Sequence, residues 1–303
     1  TTDGAYSAFV SQLTEPMTVI VDTTADTSNY DTMPICTGPY AVSEYVSEEK
    51  IELVANENYW DGAPEIKSIT VKNIGSDTKV DAMLSGDIDL AQGPDATALN
   101  RVENNDDINI VKVTGTREND FELNCREGNP LSDKNLRLAL SYAVDRDVVA
   151  QVAGNGYSSP ISTAFPPSVG YDSEDVNGQV YDLDKAKEYL AKAFPNGNAA
   201  LDISVGADRK TIAEMIQSQC KEIGLTINIV ELDSAGISTT TTNGEHQSCL
   251  YGMGFNIFGD DARRILQPGS AVNKAHYDSP EVMELLDKAV AEEDEAKRLD
   301  YYK

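Results

Sequence analysis

At 303 residues and 32.8 kDa the chain is long enough for two ordinary domains, and a composition 40% hydrophobic and 25% charged excludes disorder, collagen-like repeats and low complexity. Fifty-one Asp and Glu against 24 Lys and Arg give a formal net charge of -27, and no Lys/Arg cluster forms a local basic stripe. Such a surface repels phosphate backbones and anionic lipid headgroups, and nucleic acid is excluded as a partner. No apolar run approaches the ~18 residues needed to span a bilayer. The start, TTDGAYSAFV, has no initiator Met, basic n-region or h-region, so any signal or anchor is expected to lie outside the chain.

The first ~35 residues are short and mixed, with polar loop chemistry running to Pro34. Segments 41–46 and 50–55, around a polar SEE turn, predict an antiparallel hairpin. After the loop NENYWDGAP, the spacing of Ile66, Ile69, Val71 and Ile74 predicts a strand, and Val80, Met83 and Leu84 a helix stopped at Gly86. IDLA reads as a short buried strand, and 109–114 and 121–124 as further strands, giving an α/β layered first region. A helix carrying Leu136, Ala139, Leu140, Ala143 and Val144 on one face follows a cap at Ser132 or Asp133. A second, short helix starts at Asp145 or Asp147 and ends at Gly154. Beyond a long loop to about Val180, Asp182 caps a helix with Ala186, Tyr189, Leu190 and Ala193 inward. Residues 201–205 predict a strand, and Ile212, Met215, Ile216, Gln219 and Ile223 mark a helix ended by Gly224. LTINIVEL reads as a buried parallel partner reached by a right-handed crossover. After the polar segment TTTTNGEHQ comes the strand CLYGMGFNIF, and Ser279 with Pro280 opens a last helix carrying Val282, Leu285, Leu286 and Ala289.

Chemistry-bearing patterns are sparse. His246 and His276 lack a nucleophile-elbow context, so a hydrolase triad is not supported. Carboxylates are too abundant for any one pair to be singled out as a glycosidase acid and nucleophile. The GxG at Gly252 and Gly254 lies inside an apolar strand, not at a nucleotide-binding turn. Ser173, Asp175, Asn177, Gly178 and Asp184 fall at calcium-loop positions, but with Ser first and Asp last they read as a polar loop before a capped helix. Cys36, Cys125, Cys220 and Cys249 are spaced too widely for a zinc or CxxC motif and read as buried free thiols. Trp60 reads as a packing residue.

Several phrases in series, covering nearly the whole chain, resemble the extracellular solute-binding proteins of peptide, dipeptide and nickel ABC importers. CTGPY (36–40) is similar to that family's GTGPY with its first Gly replaced. NENYWDGAPEIKSI, MLSGDIDLA, NCREGNPLSDKNLRLALSYAVDRDVV, YDLDKAKEYL, IQSQCKEIGLTINIVEL and YDSPEVMELLDKAV follow in the family's order. Each phrase also has a local reason to exist: Gly38-Pro39 turns the chain into the Tyr40 strand, and Asp133, Asp145 and Asp182 fit helix starts. Arg137, on a helix edge beside Leu136 and Ala139, reads as an ion-pair partner.

The resemblance implies an α/β, two-lobe fold of the type II periplasmic-binding kind, incomplete at both ends, with 1–122 in lobe one and 123–303 in lobe two. It implies a non-catalytic protein, without cofactor or metal, that holds oligopeptides or dipeptides for an ABC permease. Such a protein is a monomer at the extracellular face or in the periplasm, lipid-anchored through a segment absent from this chain. Two places are expected to contact the solute. One is the strand bearing Arg117, Asn119 and Glu122. The other is the loop after MGFNIF, where Gly254 and Phe255 match the family's Gly-Trp and Asp261 a later Asp. Phe258 falls where peptide binders carry the Asp that pairs with the α-amino group. A shift of two residues brings Asp260 there; otherwise the ligand differs, because a buried ammonium without a carboxylate costs several kcal/mol. The resemblance also places Cys125 and Cys249 close enough for a disulfide. The competing expectations are a carboxylate-based glycoside hydrolase and a peptide-sensing or adhesin-like surface module on the same fold.

Overall fold

The computed structural model describes residues 5–15, 18–169, 178, 180–197, 199–255 and 261–303. The chain divides into two compact units, one of Gln12–Val111 and a larger one of Thr1–Ser11 with Lys112–Lys303.

A single helical turn, α1 (Phe9–Gln12), ends the N-terminal stretch of the larger unit, and the smaller unit is built on an antiparallel sheet, β1 (Tyr40–Val46), β2 (Lys50–Ala55) and β3 (Ser68–Lys72), in that order. The hairpin expected from the alternation is present, with Tyr40 paired to Ala55 and Val46 to Lys50. Lys50 Nζ ties it to Glu44 at 2.8 Å and Glu52 at 3.0 Å. α2 (Lys79–Ser85) ends at Gly86 as expected. The motif phrases brace the turns. Asn56 donates from Nδ2 to the Gly38 carbonyl at 2.9 Å, and its N–H donates to Pro39 O at 2.8 Å. Three expectations fail here. IDLA and 109–114 form no strand, and Leu90, Val111 and Val113 are exposed: an apolar run becomes a strand only where a partner satisfies its backbone. Trp60 is 80% exposed and meets the Tyr59 ring at a tilt of 52° instead of packing a surface.

The larger unit contains β4 (Arg117–Leu123), α3 (Lys134–Ala143), α4 (Arg146–Ala153), α5 (Leu183–Ala193), β5 (Ala200–Val205), α6 (Lys210–Glu222), β6 (Thr226–Glu231), α7 (Ser234–Asn243), β7 (Ser248–Gly254), α8 (Asp261–Leu266), α9 (Pro280–Ala291) and α10 (Glu295–Tyr302). Its sheet runs β4-β7-β5-β6, with β5 parallel to both β6 and β7, and β4 antiparallel to β7. The parallel β5-α6-β6 pair is as expected. β6 is an edge strand, and Ile227 is its one buried residue.

One face of the sheet packs Leu201, Ile203, Val205, Ile227 and Leu250 against Leu136, Ala139 and Leu140 of α3, Ala186 and Leu190 of α5, and Ala213, Ile216 and Cys220 of α6. For α3 and α5 these are positions the 3.6-residue spacing assigned inward; on α6 Ile216 was so assigned, whereas Ala213 and Cys220 were not. The opposite face carries a second cluster of Val169, Met253, Phe255, Ala262 and Leu286, with Phe165 meeting Phe255 edge to face at 5.6 Å.

Side-chain caps start the helices. Asp133, Asp145, Asp182 and Ser279 accept N–H groups of Asn135, Val148, Lys185 and Val282 respectively. The same chemistry produces α7 from the threonine-rich segment, for which the residues predict a polar stretch without a helix. Asp233 accepts from Gly236 N at 2.7 Å, Thr241 Oγ1 donates back to Ile237 O at 2.7 Å, and Gly244 closes the helix at φ 73, where a Cβ is unfavourable. Among the described residues Arg137 has no ion-pair partner of the expected kind. Its Nη1 donates to the carbonyls of Leu131 and Ser132 at 2.8 and 2.9 Å, closing the turn that precedes its own helix.

The four cysteines are free, which overturns the disulfide expectation. The Cys125 thiol is used locally on Leu123 O at 3.2 Å, while Cys249 is sealed inside β7. Cys220 and Cys249 are buried and Cys36 is exposed. Burial pushes the Cys220 thiol up to about 12 and the Cys249 thiol higher than its ordinary value. Of the calcium-like stretch, Ser173, Asp175 and Asn177 lie outside the described residues. Among the described residues no helix is long and apolar enough to cross a membrane.

Candidate functional site

Pairing of β4 with β7 fixes which residues share a face. Arg117 lies opposite Gly254, Asn119 opposite Gly252, Phe121 opposite Leu250 and Glu122 opposite Cys249. Because a strand alternates sides every residue, Arg117 and Asn119 stand on the face of Phe121 and Leu123, above the main core, whereas Glu122 stands on the other. The expected strand residues therefore divide between two sites.

On the first face a further residue joins them. Arg209 sits in the 3-10 turn Ala207–Arg209 between β5 and α6. Its Nε donates to Asn119 Oδ1 at 2.8 Å, and its Nη1 pairs with Asp208 Oδ2 at 2.5 Å. Arg117 Nη2 donates to Gly252 O at 3.4 Å. Gly252 makes this approach possible: a Cβ there would meet Arg209 Nη2 at 2.2 Å and Arg117 Nη2 at 3.2 Å. Arg209 was missed in the sequence. The available signal was its place just after a strand of a β-α-β unit, where such sheets carry their ligand groups.

On the second face Glu118, Asp120 and Glu122 form a row, with Met253, Tyr251 and Cys249 across from them. Glu118 is 7% exposed, and one carboxyl oxygen, Oε2, has no hydrogen-bond partner. Burial, reinforced by the neighbouring Asp120 and Glu122 charges, holds the Glu118 carboxyl far above the ordinary carboxylate range. Asp120, which shares a hydrogen bond with Glu118, is also raised by burial, against the opposing pull of that bond and of Arg209. Glu122 is pushed up to about 7 by burial and by Asp120, countered by the Ala275 N–H and Lys274. Lys274 is buried, with Nζ 5.5 Å from the Tyr251 ring centre.

Of the loop residues, Gly254 ends β7 beside open space, since a Cβ there would find nothing within 4 Å. Phe255 packs in the second apolar cluster and takes no part in the polar face. Phe258 and Asp260 lie outside the described residues. The two histidines bond backbone carbonyls, His246 Nε2 to Lys274 O at 2.8 Å and His276 Nε2 to Thr241 O at 2.9 Å. Burial lowers the His246 pKa, so what it contributes to stability is present above its ordinary 6.5 and lost as the pH falls. Among the described residues no group of three or more His, Cys, Asp or Glu is placed to hold a metal ion. Surface depressions beside α4, lined by Asp147, Gln151 and Ser158, and beside α5, lined by Lys187 and Phe194, do not include the β4–β7 polar residues.

Known proteins resemble this chain over most of its length. It is 26% identical over 296 residues to the nickel-binding protein NikA of Staphylococcus aureus, covering 95% of this chain and 59% of the relative. It is 26% identical over 289 residues to the dipeptide-binding protein of Escherichia coli, covering 90% of this chain and 53% of the relative. The chain thus spans between half and two thirds of the length of these relatives. The crystal structure of the periplasmic binding protein DppA from Helicobacter pylori in complex with the peptide STSA superposes with a TM-score of 0.82 at 24% identity, over 99% of this chain and 62% of that one. The fold is accordingly that of the type II periplasmic binding proteins. With residues 1–275 matching the family described as bacterial extracellular solute-binding proteins, family 5 (middle), the chain belongs to that family.

Proposed function

We propose that this chain is the solute-holding part of a substrate-binding protein that captures peptides at the outer face of the membrane and delivers them, unaltered, to an ABC permease. The observation that carries the reading is the polar face on β4 and β7, where Arg117, Asn119 and Arg209 gather over Gly252 and the neighbouring Gly254 leaves open space. Convergent polar groups beside open space suit holding a guest by hydrogen bonds and charge. A relative named for dipeptides and a neighbour solved with a bound peptide support a peptide cargo, while an equally similar relative is named for nickel, so the cargo is the part of the reading that experiment decides.

Thermal unfolding with three probe sets tests this: a di- to pentapeptide mixture, Ni(II)–L-histidine, and an oligosaccharide mixture. A ligand that binds only the folded state stabilises it by RT ln(1 + [L]/Kd), about 2.7 kcal/mol at a hundredfold excess over Kd. The midpoint is expected to rise with peptides alone, and the peptides to be recovered with unchanged mass. Stabilisation only by the nickel complex or the sugars would replace the cargo, and cleaved products would replace the binding role.

A further inference from the structure

We infer that Arg117 and Arg209 form a two-guanidinium clamp for an oxyanion, foremost a carboxylate of the solute, over Gly252 and Gly254 of β7. This deepens the proposed function and rests on it for the identity of the guest.

The geometry makes the case in three steps. First, the terminal Nη2 atoms of both arginines lie within 3.2 Å of one point, the place a Gly252 side chain would occupy. Two cations brought so close repel one another, the more so as part of their surroundings is protein and not water. Second, the partners already present balance the two unevenly. Arg209 has the carboxylate of Asp208, the attraction of Asp120 and the neutral amide of Asn119, whereas Arg117 has the Gly252 carbonyl at the long distance of 3.4 Å. An anion bridging the two guanidiniums would replace repulsion by charge-assisted hydrogen bonds, for which the arginine fork is shaped. Third, the position is built and not incidental. Glycine weakens a strand interior, yet β7 carries two, at alternate positions on this face. One admits the Arg209 side chain, which is only 17% exposed; the other leaves open space beside Arg117. In a chain with a net charge of -27, attraction for an anion must come from such a local arrangement.

The test is calorimetric titration at fixed ionic strength with trialanine and trialanine amide, which differ in the terminal carboxylate. The free acid is expected to bind at least about tenfold more tightly, and the preference to collapse in Arg117→Gln and Arg209→Gln. Gly252→Ala, whose methyl would displace the Arg209 terminus, is expected to remove the same preference while circular dichroism remains that of the parent protein. Equal binding of acid and amide overturns the clamp and leaves peptide capture standing. If neither peptide binds, peptide capture is weakened and the clamp is judged by succinate and inorganic phosphate. A rise in unfolding midpoint with either, lost in the double Arg→Gln variant, supports it and tells carboxylate from phosphate; no rise with either overturns it.

Discussion

Glu118→Gln is expected to stabilise the larger unit by about 1–3 kcal/mol at pH 8 and by nearly nothing at pH 4. The reason is the row Glu118, Asp120 and Glu122 on one face of β4, where burial and mutual repulsion disfavour charge. The folded-state pKa values are raised above the unfolded ones, so the folded protein binds more protons than the unfolded chain wherever the pH lies between the two. Stability contributed by these groups is complete below the ordinary 4.5 of a glutamate and is lost as the pH rises through about 7, where Glu122 titrates, and beyond as Glu118 follows. A glutamine keeps the shape, can still donate to Asp120, and is neutral without taking up a proton on folding. Urea unfolding from pH 4 to 9 reads the effect: a widening gap between variant and parent is expected, and a gap independent of pH would contradict it.

Asn124→Leu is expected to cost about 2–4 kcal/mol at any pH. Asn124 is fully buried and lies inside the NCREGNP phrase. Its Nδ2 donates to His246 O at 2.7 Å and Gly244 O at 3.3 Å, and its Oδ1 accepts from Arg126 N at 3.0 Å. One amide thus holds the end of β4 to the turn that leads into β7. His246 O would keep a second donor, Asn129 Nδ2 at 3.0 Å, but the Gly244 carbonyl and Arg126 N–H would lose this partner beneath a leucine. Equilibrium urea unfolding checks the loss, and a cost below 1 kcal/mol would mean that water replaces these bonds.

The contrast between those two sites shows what was legible in the sequence. Helices whose apolar positions recur at i, i+3 and i+4 behind an Asp or Ser cap, such as α3, α5 and α9, follow from the residues alone because both signals are local. α7 did not follow: a run of four threonines carries a weak helical preference, and the Asp233 cap and Gly244 terminus that overrule it lie just outside the run. The apolar residues of 109–114 misled for the opposite reason, since strand formation depends on a partner that periodicity cannot reveal.

The site divides in the same way. Arg117 and Asn119 were readable as alternating polar residues on a strand. For Arg209 its place after a strand was the one general signal, and its meeting with Asn119, 90 residues earlier in the chain, depends on the order β4-β7-β5-β6. Strand order is a property of the folded sheet. Glu118 and Asp120 were hidden by numbers, two acids among 51, until burial set them apart. Gly252 was visible as half of a GxG, but its purpose needed the arginine that crosses it.

Hydrogen–deuterium exchange of the protein with and without a saturating free-acid peptide asks most directly whether the β4–β7 face receives the solute. Slowed exchange is expected in the segments that carry Arg117–Leu123, Ala207–Arg209 and Ser248–Gly254. Exchange unchanged in all three, with protection confined to the β1–β3 sheet or absent throughout, would contradict the assignment.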